Sequence, residues 1–286
     1  MPIEPLPEVL VEPAVRLALL EDLGRAGDIT SNAVVPADLT LSAALVARRD
    51  GVVAGLDAAI LAFRLLQADV AISVARQDGD PVAAGGTIAT VRGRARTILA
   101  AERVALNFLC HLSGIATATA ALVAAIAPSP ARIVCTRKTL PGLRALQKHA
   151  ILAGGGMNHR FGLDDAMLIK DNHVAAAGGV TEAIRRAKSR AGHLVKIQVE
   201  VDDLDQLDEV LREGVDAVLL DNMGPDRLAE AVRRVGGRAV TEASGGITPD
   251  NARAVAASGV DLISLGWLTH SNRALDIGLD VPASAG

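Results

Sequence analysis

The spacing of hydrophobic and polar positions changes near residue 130 and divides the chain into two kinds of pattern. Before that point, short apolar segments of strand length are bounded by Gly, Asp or Pro, and they lie at residues 41–47, 52–54, 70–75 and 87–91. An amphipathic helix is predicted over residues 8–23, and a second helix over 56–66 interrupts the strands. The pattern predicts a small α+β domain with a mostly antiparallel sheet.

Residues 96–127 are predicted to be helical and lead from the first pattern into the second. From Val104 to Ala131 the sequence contains no Lys, Arg, Asp or Glu, so by length alone a transmembrane helix is conceivable. Polar residues such as Asn107 and His111 interrupt this segment, and two prolines close it. We therefore expect a buried helix, in one or two pieces, and no membrane partner.

After Pro130, short strands and amphipathic helices alternate. The predicted strands are residues 133–135, 166–169, 195–199, 217–220, 239–240 and 262–263. The predicted helices are residues 142–152, 180–191, 204–213, 226–235 and 249–258. This alternation is typical of parallel strands joined by crossover helices. Six short buried strands in regular order favour an α/β barrel, although spacing alone does not exclude an open sheet.

Charged or glycine-rich segments follow all six predicted strands of this second part. In chain order they are Thr136-Arg137-Lys138, Lys170-Asp171-Asn172, Glu200, Asp221-Asn222, the segment from Glu242 to Gly246, and Ser264-Leu265-Gly266. In a barrel these positions converge on the carboxyl-terminal face, where active sites lie. One such residue is commonly a helix cap or a solvated loop residue. Six consecutive cases are hard to explain by capping alone, and they predict a single site.

Positive charge is concentrated in one part of an acidic chain. The formal net charge is −4, yet residues 136–173 contain six Lys or Arg against three Asp. Arg144 and Lys148 are four residues apart and suit a solvated helix face, whereas the other four cations lie in predicted loops. Such a concentration attracts a small, strongly anionic substrate. Nucleic acid is not expected as a partner, because its binding needs a broadly basic face and stacking aromatics.

Two glycine turns are candidates for binding phosphate. Ser244-Gly245-Gly246 is followed by Thr248 as a predicted N-cap and Pro249 at the first helical position. Free backbone N–H groups and a helix dipole suit a phosphate there, and a plain turn is the alternative. Ser264-Leu265-Gly266 is a second turn, in the place where many barrels hold phosphate.

Two carboxylates, Glu200 and Asp221, come from adjacent predicted strands. They would repel each other unless Mg²⁺ or sugar hydroxyls lay between them, and either could instead pair with Lys138 or Lys170. A pocket with a phosphate turn, a carboxylate pair and several cations is suited to a phosphorylated sugar together with a second anion. These residues do not by themselves name the reaction.

The two cysteines, Cys110 and Cys135, are too few for a zinc site or a disulfide framework. Both lie in apolar surroundings, which predicts buried, reduced thiols in a cytoplasmic protein. The N-terminal residues MPIEPLPEVL carry acids and prolines where a signal peptide has a basic start and an apolar run. We therefore expect a cytoplasmic location.

Several segments together resemble the quinolinate phosphoribosyltransferase family. They are EDLGRAGDIT (21–30), ERVALNFLCHLSGIAT (102–117), TRKTLPGLR, GGGMNHR and LIKDNH (within 136–173), LLDNM (219–223), EASGGI (242–247) and LTHS (268–271). The resemblance spans nearly the whole chain, in the family's order. Trp267 departs from it, because a small or flexible residue is expected beside the phosphate turn. The N-terminal domain matches only loosely outside its motifs.

The resemblance implies an N-terminal α/β sandwich over residues 1–113, to which residues 271–286 return. It implies an incomplete α/β barrel of six or seven parallel strands over residues 114–270. The implied reaction converts quinolinate and phosphoribosyl pyrophosphate, with Mg²⁺, into nicotinate mononucleotide, pyrophosphate and carbon dioxide. A homodimer or larger assembly with shared active sites is also implied.

The resemblance further implies roles for individual residues. The dicarboxylate is expected to contact Arg137, His159, Arg160 and, from the other subunit, Arg103. Thr136 is also expected to bind substrate. Lys138 and Lys170 are expected to neutralise the pyrophosphate leaving group and the carboxylates. Glu200 and Asp221 are expected to bind the ribose hydroxyls, directly or through Mg²⁺. The 5′-phosphate is expected at Ser244, Gly245, Gly246, Ser264, Leu265 and Gly266.

Two alternative hypotheses for the function remain. One is the phosphoribosyltransferase-like protein of molybdate-transport operons, which shares the TRK and His-Arg elements. Asn158 and the run from Lys170 to His173 favour the biosynthetic enzyme over that paralogue. The other is a non-catalytic metabolite-binding regulator on the same scaffold. Intact Glu200 and Asp221 argue against it, and no DNA-binding helix pair or basic tail supports it.

Overall fold

The computed structural model of the chain describes residues 3–281. The first elements in chain order are α1 (Glu8–Leu23), α2 (Ile29–Val34), β1 (Thr40–Ala47), β2 (Gly51–Val52), α3 (Leu56–Leu66), β3 (Ala71–Val74), β4 (Pro81–Val82), β5 (Thr87–Arg94) and α4 (Ala95–Ile126). The next are β6 (Arg132–Val134), α5 (Arg144–Ala153), β7 (Met167–Ile169), α6 (Asp171–Ala177), α7 (Val180–Arg190), β8 (Ile197–Val201) and α8 (Leu204–Glu213). The last are β9 (Ala217–Asp221), α9 (Pro225–Val235), β10 (Val240–Ser244), α10 (Ala252–Ala257), β11 (Leu262–Ser264), α11 (Trp267–His270) and β12 (Ile277–Asp280).

By compactness the chain forms two units. The first consists of the described residues of Met1–Ala120, Thr139–Gly155 and Leu268–Gly286, and the second of Ala121–Lys138 and Gly156–Trp267. The domain limits taken from the sequence, 1–113 and 114–270 with a return of 271–286, stay a prediction. Residues 282–286 of that return lie outside the described residues.

A four-stranded antiparallel sheet organises the first unit, with the strand order β12-β1-β5-β3. The predicted antiparallel sheet is therefore confirmed, and a short pairing of β2 with β4 lies apart from it. The core of this unit is largely aliphatic, with Leu45 of β1 and Ile88 of β5 fully buried, as is Phe63 of α3. An aliphatic core follows from a chain with three Phe, one Trp and no Tyr.

Helix α1 matches the prediction and contains Pro13, whereas α2 was not predicted. Six residues are too few to show a helical period, and α2 depends on a cap. The carboxylate of Asp28 accepts the backbone N–H of Ser31 at 2.9 Å, which satisfies a donor at the helix start.

The apolar segment before residue 131 lies in α4, one continuous helix of 32 residues. Among the described residues, α4 is the one helix whose length and composition would allow it to cross a membrane, and half of its most apolar stretch is buried inside the protein. The core helices of soluble proteins share these properties. The prediction of a buried helix is therefore only partly met, because half of the apolar stretch of α4 is not buried.

Six parallel strands form the sheet of the second unit, in the order β6-β11-β10-β9-β8-β7. This order is that of a barrel in which only the pairing between β6 and β7 is missing. An isolated parallel bridge between Val134 and Met157 lies at that gap. The predicted fold class, an α/β sandwich with an incomplete α/β barrel, is confirmed.

Several predicted boundaries were wrong. Strands β8 and β10 continue further than predicted, so Glu200 and Glu242 lie inside strands instead of in loops. Helix α10 begins at Ala252 and not at Pro249, and α6 was not predicted. Short polar strand ends carry no hydrophobic signal, which explains these errors.

Two predicted environments also need correction. Lys148 is 1% exposed in α5, which belongs to the first unit, so it does not lie on a solvated helix face. Neither cysteine forms a disulfide in the described part of the chain; Cys135 is buried, but Cys110 is only partly buried. Burial raises the pKa of the Cys110 thiol, which keeps it protonated near neutral pH.

A partly buried carboxylate from a loop caps α3, and its removal is the first prediction. Asp78 accepts the backbone N–H groups of Gly55 and Leu56 at 2.8 and 3.0 Å, and it lies 3.1 Å from His149 Nε2. We expect Asp78→Ala to lower the free energy of unfolding by about 2 kcal/mol, because two N–H donors and a histidine lose their acceptor. Urea unfolding measures this, with the exposed Asp69→Ala as the control. Equal stabilities of the two variants would contradict the capping role.

Candidate active site

A cavity of about 360 Å³ opens at the carboxyl ends of the parallel strands, within the second unit. Its lining residues are Thr136, Arg137, Lys138, His159, Arg160, Leu168, Lys170, Glu200, Leu219, Asp221, Glu242, Ser244 and Ser264. Ten of the residues predicted from the sequence are among them. The structure therefore brings together the charged ends of all six strands, as the barrel interpretation required.

Strand geometry explains why these side chains share the cavity. Alternate residues of a strand point to the same side, so Leu219 and Asp221 of β9 face the cavity together. The same holds for Glu242 and Ser244 of β10. Leu168 and Leu219 supply apolar wall between the charges. Each strand thus contributes side chains at fixed spacing on a rigid scaffold.

Two guanidinium groups are only partly satisfied by the protein. The Nε atoms of Arg137 and Arg160 are buried and have no hydrogen-bond partner among the described residues. Arg160 Nη1 donates to the carbonyl of Ala166 at 2.8 Å, which fixes the orientation of the group. Burial, and then the nearby charge of Arg137, lower the pKa of Arg160. Unsatisfied buried donors of like charge favour an anion between them.

The second pair of cations differs from these arginines by being exposed. Lys138 follows a turn in which Thr136 Oγ1 accepts the Lys138 N–H at 3.0 Å. Lys170 Nζ donates to Glu200 Oε2 at 2.6 Å, with side-chain exposures of 46% and 13%. The sequence left open that Glu200 or Asp221 pairs with a lysine, and the structure shows this pairing for Glu200.

Asp221 is oriented by the residue that follows it. Asn222 Nδ2 donates to Asp221 Oδ2 at 2.6 Å, and the Asn222 N–H donates to the Ser244 carbonyl at 2.9 Å. Asn222 adopts a positive φ of 53°, which Asn tolerates better than most residues. The carboxylate is thereby held against the end of β10.

His159 belongs to a buried hydrogen-bonded group that the sequence did not reveal. Its Nε2 lies 3.0 Å from Gln198 Oε1 and 3.4 Å from Glu242 Oε2, and Gln198 Nε2 donates to Glu242 Oε2 at 2.8 Å. Its Nδ1 accepts the backbone N–H of Arg160 at 2.8 Å. Burial opposes ionisation of Glu242, but the bonds from His159 and Gln198 outweigh it and lower the pKa of Glu242. Glu242 is therefore a carboxylate that is 1% exposed.

Only some of the residues predicted to bind phosphate line the cavity. Ser244 and Ser264 line the cavity, whereas Gly245, Gly246, Leu265 and Gly266 are not among the described lining residues. The glycine turn does not run directly into a helix, because α10 begins at Ala252 after the Asn251 carboxamide oxygen has accepted the Thr248 N–H at 2.9 Å. The predicted capping role of Thr248 is therefore wrong.

Trp267, the departure from the family pattern, joins the two glycine turns. Its Nε1 donates to the carbonyl of Ile247 at 3.1 Å, and it is half-buried at the start of α11. Ser264 Oγ donates to the carbonyl of Ala243 at 3.3 Å. The bulky ring thus ties the end of β11 to the turn after β10.

Two further predicted features lie away from the cavity lining. Arg103 is exposed on α4 in the first unit and is not among the described lining residues. His173, from the family-like run after β7, accepts the backbone N–H of Lys170 through Nδ1 at 3.0 Å. This bond closes the first turn of α6, so His173 has a structural role in shaping the loop of Lys170.

Sequence reasoning missed Gln198 and the apolar wall, and it placed Asn222 and Glu242 at strand ends without giving either a role. A signal was present, because Gln198 stands two residues before Glu200, and Glu242 two before Ser244. Period-two spacing would have placed each pair on one strand face. It was overlooked because the predicted strands ended too early.

A barrel whose strand ends surround an anion-binding cavity with paired carboxylates defines a class of enzyme that acts on phosphorylated, negatively charged substrates. Comparison with known proteins narrows that class. Family models for the N-terminal and C-terminal domains of quinolinate phosphoribosyl transferase match residues 28–113 and 115–280. The chain belongs to the quinolinate phosphoribosyltransferase family.

Individual relatives agree with the family. The nicotinate-nucleotide pyrophosphorylase [carboxylating] of Mycobacterium leprae is 48% identical over 272 residues, which cover 93% of this chain and 95% of the relative. A probable enzyme of the same name from Bacillus subtilis is 43% identical, covering 93% and 91%. The solved nicotinate-nucleotide pyrophosphorylase of Francisella tularensis superimposes with a TM-score of 0.93 at 37% identity, covering 98% and 99% of the chains.

The glycine turn after β10 supplies the second prediction. A Cβ on Gly245 would lie 2.1 Å from Asn222 Oδ1 at a φ of +87°, whereas a Cβ on Gly246 would meet open space at +61°. Both alanine variants suffer backbone strain of about 1 kcal/mol, but only Gly245→Ala also displaces Asn222. We expect Gly245→Ala to be less stable than Gly246→Ala by about 2 kcal/mol in urea unfolding. If both variants lose the same stability, the turn can shift away from Asn222 without cost, and the contact does not constrain it.

Proposed function

We propose that this protein transfers the phosphoribosyl group of phosphoribosyl pyrophosphate to quinolinate, with decarboxylation, to give nicotinate mononucleotide, pyrophosphate and carbon dioxide. This is the reaction of de novo NAD biosynthesis. The observation that carries the proposal is a single cavity in which two partly buried arginines, each with a buried Nε that has no described partner, lie with two lysines and three carboxylates. The relatives' printed names support the same reaction.

Quinolinate has two carboxylates, and the two arginines match them chemically. The Nε atoms of Arg137 and Arg160 are buried donors without partners among the described residues, and a guanidinium fork binds a carboxylate through two parallel hydrogen bonds. Thr136 lies beside them in the same cavity. A monocarboxylate would leave one of the two groups uncompensated, which favours a dianionic substrate.

His159 contributes to this subsite in a way that differs from the expectation. Both ring nitrogens already bond protein groups, Nδ1 with the Arg160 N–H and Nε2 with Gln198 and Glu242. In this conformation neither nitrogen is a free donor for a carboxylate. His159 therefore holds Arg160 and presents its ring as part of the cavity wall.

Phosphoribosyl pyrophosphate would occupy the exposed side of the cavity. Lys138 and Lys170 are solvent-exposed and near the predicted leaving group, whose negative charge they neutralise. The Lys170 ammonium is bonded to Glu200, so substrate binding exchanges one anionic partner for another. Glu200 and Asp221 then bind ribose hydroxyls and stabilise the positive charge that develops on the sugar as pyrophosphate departs.

The 5′-phosphate is assigned to the two turns after β10 and β11. Ser244 and Ser264 reach the cavity, and Gly245, Gly246, Leu265 and Gly266 supply adjacent backbone. Gly245 and Gly246 have positive φ values of 87° and 61°, a geometry that exposes successive N–H groups in anion-binding turns. Support for this site comes from backbone geometry and not from a helix terminus.

Mg²⁺ is part of the proposal, and the donor set fits it. Glu200 and Asp221 both line the cavity, and Mg²⁺ is commonly held by one or two carboxylates together with substrate phosphates. Among residues 3–281 there is no group of three or more His, Cys, Asp or Glu that could hold a metal alone. This pattern suits an ion that arrives with the substrate. When bound, Mg²⁺ would neutralise charge on the pyrophosphate.

Catalysis in this proposal rests mainly on positioning and electrostatics. The ring nitrogen of quinolinate attacks the sugar carbon as the bond to pyrophosphate breaks. The positive charge then gained by the ring makes loss of the adjacent carboxylate easy, because it stabilises the electron pair left on carbon. No base is needed to remove carbon dioxide, and a proton from solvent then takes the place of the lost carboxylate on that carbon.

We also propose a homodimer in which Arg103 completes the neighbouring active site. In the first unit an apolar groove of about 520 Å³ lies between α1, α4 and residues 140–143, and Leu17 and Leu20 of α1 are 67% and 64% exposed. Arg103 stands four residues before Asn107, which lines this groove, so both lie on one exposed face of α4. Exposed apolar surface of this kind commonly marks a protein interface.

A cytoplasmic location is proposed on the chemistry of the cysteines. Neither Cys110 nor Cys135 forms a disulfide among the described residues, and Cys135 is fully buried. Thiols that are not joined in a disulfide suit a reducing compartment.

Activity with quinolinate, phosphoribosyl pyrophosphate and Mg²⁺ provides the third prediction, read as carbon dioxide release. We expect Lys138→Ala and Arg160→Ala to lower kcat/KM at least about 100-fold, because each removes a charge that the transition state needs. Thermal unfolding should be unchanged within a few degrees. The exposed Lys196→Ala and Arg186→Ala, which lie in ion pairs outside the cavity, serve as matched controls. Normal turnover by either cavity variant would remove that residue from the site.

Mixing inactive variants is the fourth prediction and tests sharing between subunits. Arg103→Ala and Lys138→Ala should each be inactive alone. After denaturation and refolding together in equal amounts, half of the dimers are mixed and each contains one intact site, so about one quarter of wild-type activity returns. No recovery, with mixed dimers demonstrated by mass spectrometry, would place Arg103 outside the partner's site.

A further inference from the structure

We propose that Glu242 and Gln198 form a buried hydrogen-bonded relay that positions His159 and Arg160, which makes Glu242 a positioning residue for the dicarboxylate subsite. The proposal deepens the function proposed above and rests on it for the identity of the ligand. The relay runs from Glu242 on β10 through Gln198 on β8 and the His159 ring to the backbone of Arg160.

Chemistry fixes the direction of every hydrogen bond in this relay. An ionised carboxylate only accepts, so Gln198 turns its Nε2 to Glu242 and its Oε1 to His159. A carboxamide oxygen also only accepts, so His159 carries its proton on Nε2. Nδ1 is then bare and accepts the Arg160 N–H at 2.8 Å. The two ends, an obligate acceptor and an obligate donor, select one imidazole tautomer.

The burial of the relay indicates why its geometry is retained. Glu242 and Gln198 are 1% and 8% exposed, so no bulk water can replace a lost partner. A buried carboxylate costs several kcal/mol of desolvation and is kept only where its partners repay that cost. Glu242 also lines the cavity with an Oε1 that has no described partner. The acid therefore stands at the cavity floor and not in the general core.

Arg160 depends on this support because its other fixed contacts are few. Nη1 bonds the Ala166 carbonyl, while Nε has no described partner and the nearby Arg137 repels the group. The loop after Arg160 is held separately, by Asp165, which accepts the N–H of Gly162 at 3.0 Å. Anchoring the Arg160 backbone through His159 keeps two repelling guanidinium groups at a fixed separation. Two carboxylates on one ring need such a fixed separation.

A role through charge and a role through positioning predict opposite effects of removing Glu242 on the affinity for a dianion, so experiment can distinguish them. If Glu242 acted only through its charge, removing it would tighten binding of a dianion, because an anion is taken from the cavity wall. If Glu242 acts by positioning, the outcome depends on whether an acceptor remains for Gln198. Glu242→Gln keeps an oxygen acceptor without the charge, whereas Glu242→Leu has similar volume and no acceptor.

The fifth prediction uses the full-length protein and quinolinate as the probe, with affinity measured by calorimetry. We expect Glu242→Gln to bind quinolinate within about threefold of wild type, and Glu242→Leu to bind on the order of tenfold more weakly, because the Gln198 donor is left unsatisfied. Gln198→Leu breaks the middle of the relay, so its affinity for quinolinate should match that of Glu242→Leu. It replaces Glu242→Leu in the test if that variant fails to fold. Glu209→Gln, a partly buried carboxylate that bonds Thr181 elsewhere, is the control.

Nitrogen-15 NMR of the imidazole gives a readout that loss of stability would not produce. Wild type and Glu242→Gln should show His159 protonated on Nε2 only, and the two leucine variants a mixture of tautomers. Tighter binding by both Glu242 variants, or wild-type spectra and affinity in the leucine variants, would overturn the relay. If wild type itself neither binds nor converts quinolinate, the proposed function is wrong. The imidazole spectra alone then show whether the relay selects one tautomer of His159.

Discussion

Repulsion between positive charges gathered in one cavity is the constraint on which the site depends. Burial lowers the pKa of Arg160, and the nearby charge of Arg137 lowers it further. Such groups stay in place only if the surrounding structure fixes them, since each would otherwise turn to solvent. The barrel meets this constraint by placing Arg137, Lys138 and Lys170 just after strands, and Arg160 three residues after Met157, which bridges to β6.

Acidic groups balance those cations in two different ways. Glu200 bonds the exposed ammonium of Lys170. Glu242 lies at the buried side, where burial opposes its ionisation but His159 and Gln198 lower its pKa. One acid is therefore paired near solvent and the other is enclosed. The difference follows from solvent access, because only an exposed pair can dissociate at low cost.

The turns after β9, β10 and β11 show how backbone contacts shape the same face. Asn222 bonds both the Asp221 side chain and the Ser244 carbonyl, and its carboxamide leaves no room for a side chain at residue 245. Trp267 then joins the third turn to the second through Ile247. A residue that departs from the family's expected pattern thus serves as a structural tie. The turns after β10 and β11 are held by neighbouring strands and not by the short helix α10.

The sequence by itself determined the fold class and most of the charged residues that line the cavity. Alternating strands and helices required a parallel sheet, and polar residues after each strand required a common face, so Arg137, Lys138 and Lys170 could be named from local order. The tertiary structure alone decided the rest. Gln198 and Glu242 lie 44 residues apart and meet only because β8 and β10 flank β9. The pairing of Lys170 with Glu200 and the start of α10 were likewise set by contacts across strands and turns. Local patterns record which face a residue occupies, but not which distant partner satisfies it, because hydrogen bonds between strands depend on register and burial.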